Sequence, residues 1–205
     1  MVVDLARQLV GSEAQPGYES WRMAYCYGNR IEVVQSHRNP GGELALDGVA
    51  EVKTDMVLLC FNKPGVEQPL VHRKNNKTWA FACQGKVPEP AKLLAGEPVI
   101  DVRSPQGRFF SYLLDGFNPD DPVGSVESRL VRGPEEPRFF LMNAEALTIS
   151  TGGDVPEAEP GLWYGRSNLT RVISPVRLQS VPDTEWEPVP ERTVMSLTRF
   201  RYALT

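Results

Sequence analysis

Between Met56 and Pro88 three short apolar runs alternate with turn-forming residues, and this stretch limits the possible folds more than any other part of the chain. Met56 to Phe61 is the first run, Leu70 to Arg73 the second, and Thr78 to Cys83 the third. Each has strand length, and none is long enough for an independent helix. Asn75-Asn76 supplies a turn, because Asn tolerates positive φ, and Gly85 and Pro88 stop the third run. The pattern predicts strands that share a core and end at a common edge. Their ends carry Cys60, Asn62, Gln68, Cys83 and Gln84, so a site there is lined by neutral amides and thiols.

The flanking sequence repeats this grammar. Val2 to Val10 reads as a first strand or short helix, and the stretches from Trp21 to Tyr27 and Arg30 to Gln35 as strands joined by Gly28-Asn29. Residues 90–98 hold a turn or two of helix. From Gly107 to Phe117, Phe109, Phe110, Leu113 and Leu114 recur at helical spacing, and Ser125 to Val131 reads as another short helix. Four further short strands are expected: Arg138 to Met142, Ala146 to Ser150, Gly161 to Tyr164 and Arg171 to Ser174. A last strand follows the segment E-W-E-P-V-P.

In this order the landmarks resemble the class II glutamine amidotransferase domains, a family of N-terminal-nucleophile enzymes that release ammonia from glutamine. That family has a strand ending Ala-His-x-Arg, then Thr-His-Pro-Phe, then a hairpin ending Phe-Ala-His-Asn-Gly. The corresponding places here read Leu59-Cys60-Phe61-Asn62, Glu67-Gln68-Pro69-Leu70 and Phe81-Ala82-Cys83-Gln84-Gly85. Gly17 and Trp21 to Tyr25 stand where the family has Gly-Trp-Gly-Ile-Ala-Tyr, and Trp186-Glu187-Pro188-Val189-Pro190 matches its closing Trp-x-Pro-Val-Pro. The matches are short, and their order carries the resemblance. It implies an α+β fold of four layers (αββα), with two mainly antiparallel sheets between helical layers, in one domain spanning residues 1–205.

The resemblance also implies where chemistry would reside. Family members attack the glutamine amide with an N-terminal Cys. An Asn side chain and a Gly N–H hold the oxyanion, an Arg clamps the substrate carboxylate, and an Asp binds its ammonium. Here Val2 follows Met1, Asn62 stands at the Arg position and Gln84 at the oxyanion Asn, with Gly85 kept. Gln106 stands at the Asp, and Arg108 at a neighbouring Glu. The expected site is thus a vestigial cleft of Val2, Cys60, Asn62, Gln68, Cys83, Gln84, Gly85 and Gln106, without catalytic residues. In it Asn62, Gln84 and Gln106 converge and satisfy one another's amides. The implied role is a binding, scaffold or regulatory subunit of a partner enzyme, such as a synthase or an active amidotransferase subunit, or a homo-oligomer. The alternative is an enzyme or sensor that uses the remodelled cleft for another small, neutral ligand or amide.

Composition sets the outer bounds. Of 205 residues, 41% are hydrophobic and 23% charged, which allows a sizeable core. A net charge of −4 speaks against nucleic acid or an anionic membrane as partner. No apolar run reaches the roughly 20 residues that span a bilayer. Three cysteines without CxxC spacing point to a reducing compartment, so a cytoplasmic location is expected. Neither a Gly-rich phosphate loop nor metal-ligand spacing is present, so no cofactor and no metal is expected. Cys60 and Cys83 read either as small buried hydrophobes or as a reactive pair, with only His37 and His72 as candidate activators. His72, Arg73, Lys74 and Lys77 form a basic hairpin tip, read as a solvated turn or as an anion or partner site.

Overall fold

A computed structural model describes residues 18–37, 52, 54–85, 87, 104–130, 136–153, 161–167, 170–179 and 183–199. The expected elements at 2–10 and 90–98 lie outside these residues. The first sheet contains β1 (Ser20–Tyr27), β2 (Arg30–His37) and β3 (Val57–Asn62), in the antiparallel order β2-β1-β3. The second contains β4 (Leu70–Lys74), β5 (Lys77–Gln84), β6 (Arg138–Met142), β7 (Ala146–Ser150) and β11 (Val194–Thr198). Its order is β11-β7-β6-β5-β4, antiparallel throughout. Asn75 and Asn76 take positive φ in the β4–β5 turn, as their side chains allow.

Strand alternation assigns the faces. Ala24, Cys26 and Ile31 of the first sheet pack with Leu58 and Cys60 against Ala80, Ala82, Met142, Phe140 and Leu147 of the second. Small side chains here let the two sheets approach closely. The opposite face of β5 and β6 turns Phe81, Cys83, Phe139 and Leu141 toward helix α1 (Pro105–Leu114). The Phe81 ring stacks on Phe110 at 4.9 Å and meets Phe109 and Phe139 edge-on or tilted, at 6.1 and 5.8 Å. Such ring pairs add about 0.5–1.5 kcal/mol each beyond area burial. A second helix, α2 (Pro122–Glu127), contributes buried Val126 to the same cluster. Trp21 and Met23 on the far face of the first sheet are also fully buried. The architecture is therefore α+β, with two antiparallel sheets face to face and helices on the outer side of the larger one.

Both helices begin earlier than apolar spacing predicts. Ser104 caps α1, its Oγ accepting from Gly107 N at 2.9 Å, and Pro105 occupies the first turn. Asp121 and Pro122 do the same for α2, with Asp121 Oδ1 accepting from Gly124 N at 3.0 Å. A cap followed by Pro is a start signal independent of apolar spacing. The C-terminal part also departs from expectation. β8 (Trp163–Arg166), β9 (Arg171–Ser174) and β10 (Glu185–Pro188) form a separate three-stranded sheet, ordered β10-β8-β9. Gly165 lies under Trp186, where a Cβ would come within 2.8 Å of the indole.

Candidate functional site at the sheet ends

The antiparallel registers bring the ends of several strands together. Ser20 pairs with Asn62 and Arg22 with Cys60 across β1 and β3. Gln84 pairs with Arg138 across β5 and β6. Helix α1 starts at this same end: Phe109 meets Phe139, while Asp115 beyond its C-terminus bonds Lys74 at the distant hairpin tip. Cys60, Asn62, Gln68, Cys83, Gln84, Gly85 and Gln106 thus lie at one end of the sandwich. Val2 lies outside the described residues.

Asn62 is 2% exposed, and its side chain closes the loop that follows β3. Its Nδ2 donates to the Gln68 carbonyl at 2.7 Å, and Gln68 N donates to its Oδ1 at 3.1 Å. An amide can do this because it carries a donor and an acceptor side by side. The loop ends in a cis Gln68–Pro69 bond. From there the Gln68 side chain reaches β5: its Oε1 accepts from Cys83 N at 2.9 Å and its Nε2 approaches Cys83 Sγ at 3.8 Å. Asn62, Gln68 and Cys83 therefore form one connected unit.

The thiols are poor nucleophiles. Burial pushes Cys60 up to about 12, the nearby Cys83 adds to this, and Arg22 opposes it. Burial also pushes Cys83 up to about 12, against the Gln68 hydrogen bond. Cys26, at the other end of the gap, lies 3.8 Å from the Asn143 carbonyl. None of the three is in a disulfide.

The expected contacts among Gln84, Gln106 and Asn62 are not formed. Gln84 is exposed, and its Oε1 accepts from Arg138 Nη1 at 3.3 Å. Arg138 is the residue opposite Gln84 in the β5–β6 register, which brings its guanidinium within reach. Arg138 is 7% exposed and also donates from Nε to the Thr151 carbonyl at 3.4 Å. Gly85 takes φ +82°, a conformation that favours glycine. Gln106 sits in the first turn of α1, half-buried.

Sequence reasoning missed Arg22 and Arg138. The signal was present: each is a lone cation inside an apolar strand, W-R-M-A-Y and R-F-F-L-M, and such residues are rarely buried without a role or a partner. A small hollow of about 70 Å³ between Lys74, Lys77, Trp79 and Phe117 lies at the opposite end, by the hairpin tip. We assign it no role, since its lysines pair with Asp115 and Glu145. His72 faces Phe110 there, well away from the thiols. Among the described residues no group of three His, Cys, Asp or Glu side chains gathers. No described helix is long and apolar enough to cross a membrane.

No family model and no curated protein matches the sequence. Solved structures do match the fold. A glutamine aminotransferase class-II domain protein from Silicibacter pomeroyi aligns at TM-score 0.58 and 12% identity, over 88% of this chain and 91% of that one. The glutamine phosphoribosylpyrophosphate amidotransferase of B. subtilis, complexed with ADP and GMP, aligns at TM-score 0.52 and 17% identity over 77% of this chain. A structure described as the allosteric regulatory enzyme of purine biosynthesis gives 0.54 and 17%, again over 77%. The chain spans about a third of the length of these last two, 35% and 36%. Agreement of the sheet order, the face-to-face packing and these neighbours leads to one conclusion: the chain has the fold of a class II glutamine amidotransferase domain.

Proposed function

We propose that this protein acts by binding, as a scaffold or regulatory partner of another enzyme, and does not hydrolyse glutamine by the route of the family it resembles. The observation that carries this reading is the engagement of Asn62. It stands where the family places the arginine that clamps the substrate carboxylate, and both ends of its amide are committed to the Gln68 backbone. It offers no charge, and its hydrogen-bonding capacity toward a ligand is largely used. The remaining positions agree. Gln84 is turned to Arg138, and the thiols of Cys60 and Cys83 are held protonated at neutral pH. Loss of a single oxyanion donor costs about 3–4 kcal/mol of transition-state stabilisation, so the replacements together remove most of the family's rate enhancement.

The test is a glutaminase assay on purified protein, following both ammonia and glutamate. Release at background is expected. Turnover that disappears on Cys60→Ser or Cys83→Ser would overturn the proposal and mark a relocated nucleophile. A second reading, in which the sheet-end site holds a small ligand of its own, is favoured by Arg22, whose buried Nε has no hydrogen-bond partner among the described residues.

A further inference from the structure

The two facing sheet surfaces are unusual in charge. On the inner face of the first sheet β1 presents Ser20, Arg22, Ala24 and Cys26, and β3 presents Leu58, Cys60 and Asn62. Opposite them are Ala80, Ala82 and Gln84 of β5 and Arg138, Phe140 and Met142 of β6. Among the described strands these inner faces hold arginines and no carboxylate, in a protein whose net charge is −4.

Arg138 is engaged by Gln84 and the Thr151 carbonyl. Arg22 differs: its Nε is buried and has no hydrogen-bond partner among the described residues. A guanidinium N–H removed from water without an acceptor is costly, more so for a charged group. On the same face of the two neighbouring strands Arg22 meets no carboxylate: its ladder partners are Gln35 of β2 and the Cys60 thiol of β3, the latter held protonated by burial.

We propose that the Arg22 guanidinium anchors an anion-binding site at the rim between the two sheets, and that the ligand is a small carboxylate with a short, uncharged body. One planar fork carrying one charge matches one carboxylate. A phosphate monoester brings nearly two charges and three acceptor oxygens, and calls for more donors than Arg22 alone presents. Deeper between the sheets Ala24, Leu58 and Ala82 are closed core, so the ligand stays at the rim and its body must be short and uncharged. The charge for a carboxylate thus comes from β1, two residues along the ladder from Asn62. This reverses the sequence-based expectation of a neutral ligand, and it holds whether the protein acts by binding alone or carries a reaction.

The test uses the full ¹⁵N-labelled chain. The Arg22 Nε–Hε resonance, assigned by its loss in Arg22→Lys, is followed while acetate, butyrate, acetamide or inorganic phosphate is added. The carboxylates should shift it saturably, with a Kd on the order of 1 mM for so small a contact, and acetamide should not. Calorimetry with butyrate should then show at least a tenfold loss of affinity in Arg22→Gln. Circular dichroism establishes whether that variant is folded; if it is not, the charge-preserving Arg22→Lys should still bind several-fold more weakly. An Nε–Hε resonance indifferent to every carboxylate would overturn the proposal. Equal binding by a folded variant would do the same, and a stronger response to phosphate would overturn the carboxylate assignment.

Discussion

Replacing Asn62 by Ala is the sharpest probe of how the sheet-end loop is held. The substitution deletes the 2.7 Å bond to the Gln68 carbonyl and the 3.1 Å bond from Gln68 N together. The two backbone groups left behind are only partly buried, as Gln68 itself is, and water can enter the space vacated by the amide. Each then costs about 1–2 kcal/mol, at the lower part of the range for an unsatisfied buried group, or roughly 2–4 kcal/mol in total. For a chain of this size that is a fall in Tm of about 4–16 °C. A second readout follows from the Gln68–Cys83 bond. A loosened loop should release Gln68 from β5 and raise the rate at which Cys83 reacts with a thiol reagent under native conditions. Urea unfolding followed by fluorescence gives the first quantity, and reaction with Ellman's reagent in a Cys60→Ser background gives the second. A loss below about 0.5 kcal/mol with unchanged Cys83 reactivity would refute the view of Asn62 as the lock of this loop.

Three further outcomes follow from the geometry. Arg199 binds both Asp55 oxygens from Nε, at 2.7 and 2.8 Å, and the Gly28 and Ala144 carbonyls from Nη1, at 2.6 and 3.2 Å. Arg199→Ala should therefore cost about 2 kcal/mol, while Asp55→Ala, removing a 39% exposed carboxylate, costs under about 1 kcal/mol; a urea double-mutant cycle separates the two. Gly165→Ala should push Trp186 off β8 and destabilise the protein by roughly 1–3 kcal/mol, read as a lower Tm with altered tryptophan emission. His72 has its pKa lowered, by burial first and by Lys74 second. The unfolded chain then takes up the proton first, so stability falls as pH drops through about 6.5 and keeps falling until the folded imidazole also titrates. His72→Gln should flatten the urea midpoint between pH 7.5 and 5.

The strands were legible in the sequence wherever a short apolar run met Gly, Asn or Pro, as at Gly28-Asn29 and Asn75-Asn76. Apolar spacing around Phe109 places the helix starts too late, because the starts are set by the Ser104-Pro105 and Asp121-Pro122 caps, which carry no apolar signal. The separate sheet of β8, β9 and β10 was hidden because membership of a sheet depends on long-range pairing, which no local pattern encodes. In the site, the gathering of Cys60, Asn62, Gln68 and Cys83 at one edge followed from strand ends alone. Their partners did not: which donor reaches Gln84 is decided by its register with Arg138, and register is a property of two strands at once. The cations at Arg22 and Arg138 were readable as charge within apolar strands, yet their inward direction needed the pairing of β1 with β3 and of β5 with β6.

The Asn62 lock also bears on how such a domain changes over generations. Placing an arginine at position 62 would strip two hydrogen bonds from the loop, and the Gln68 tether to Cys83 would lose its support, before any gain toward a ligand were realised. Any route from this asparagine to an arginine therefore passes through a less stable chain, unless some other residue first takes over the Gln68 backbone.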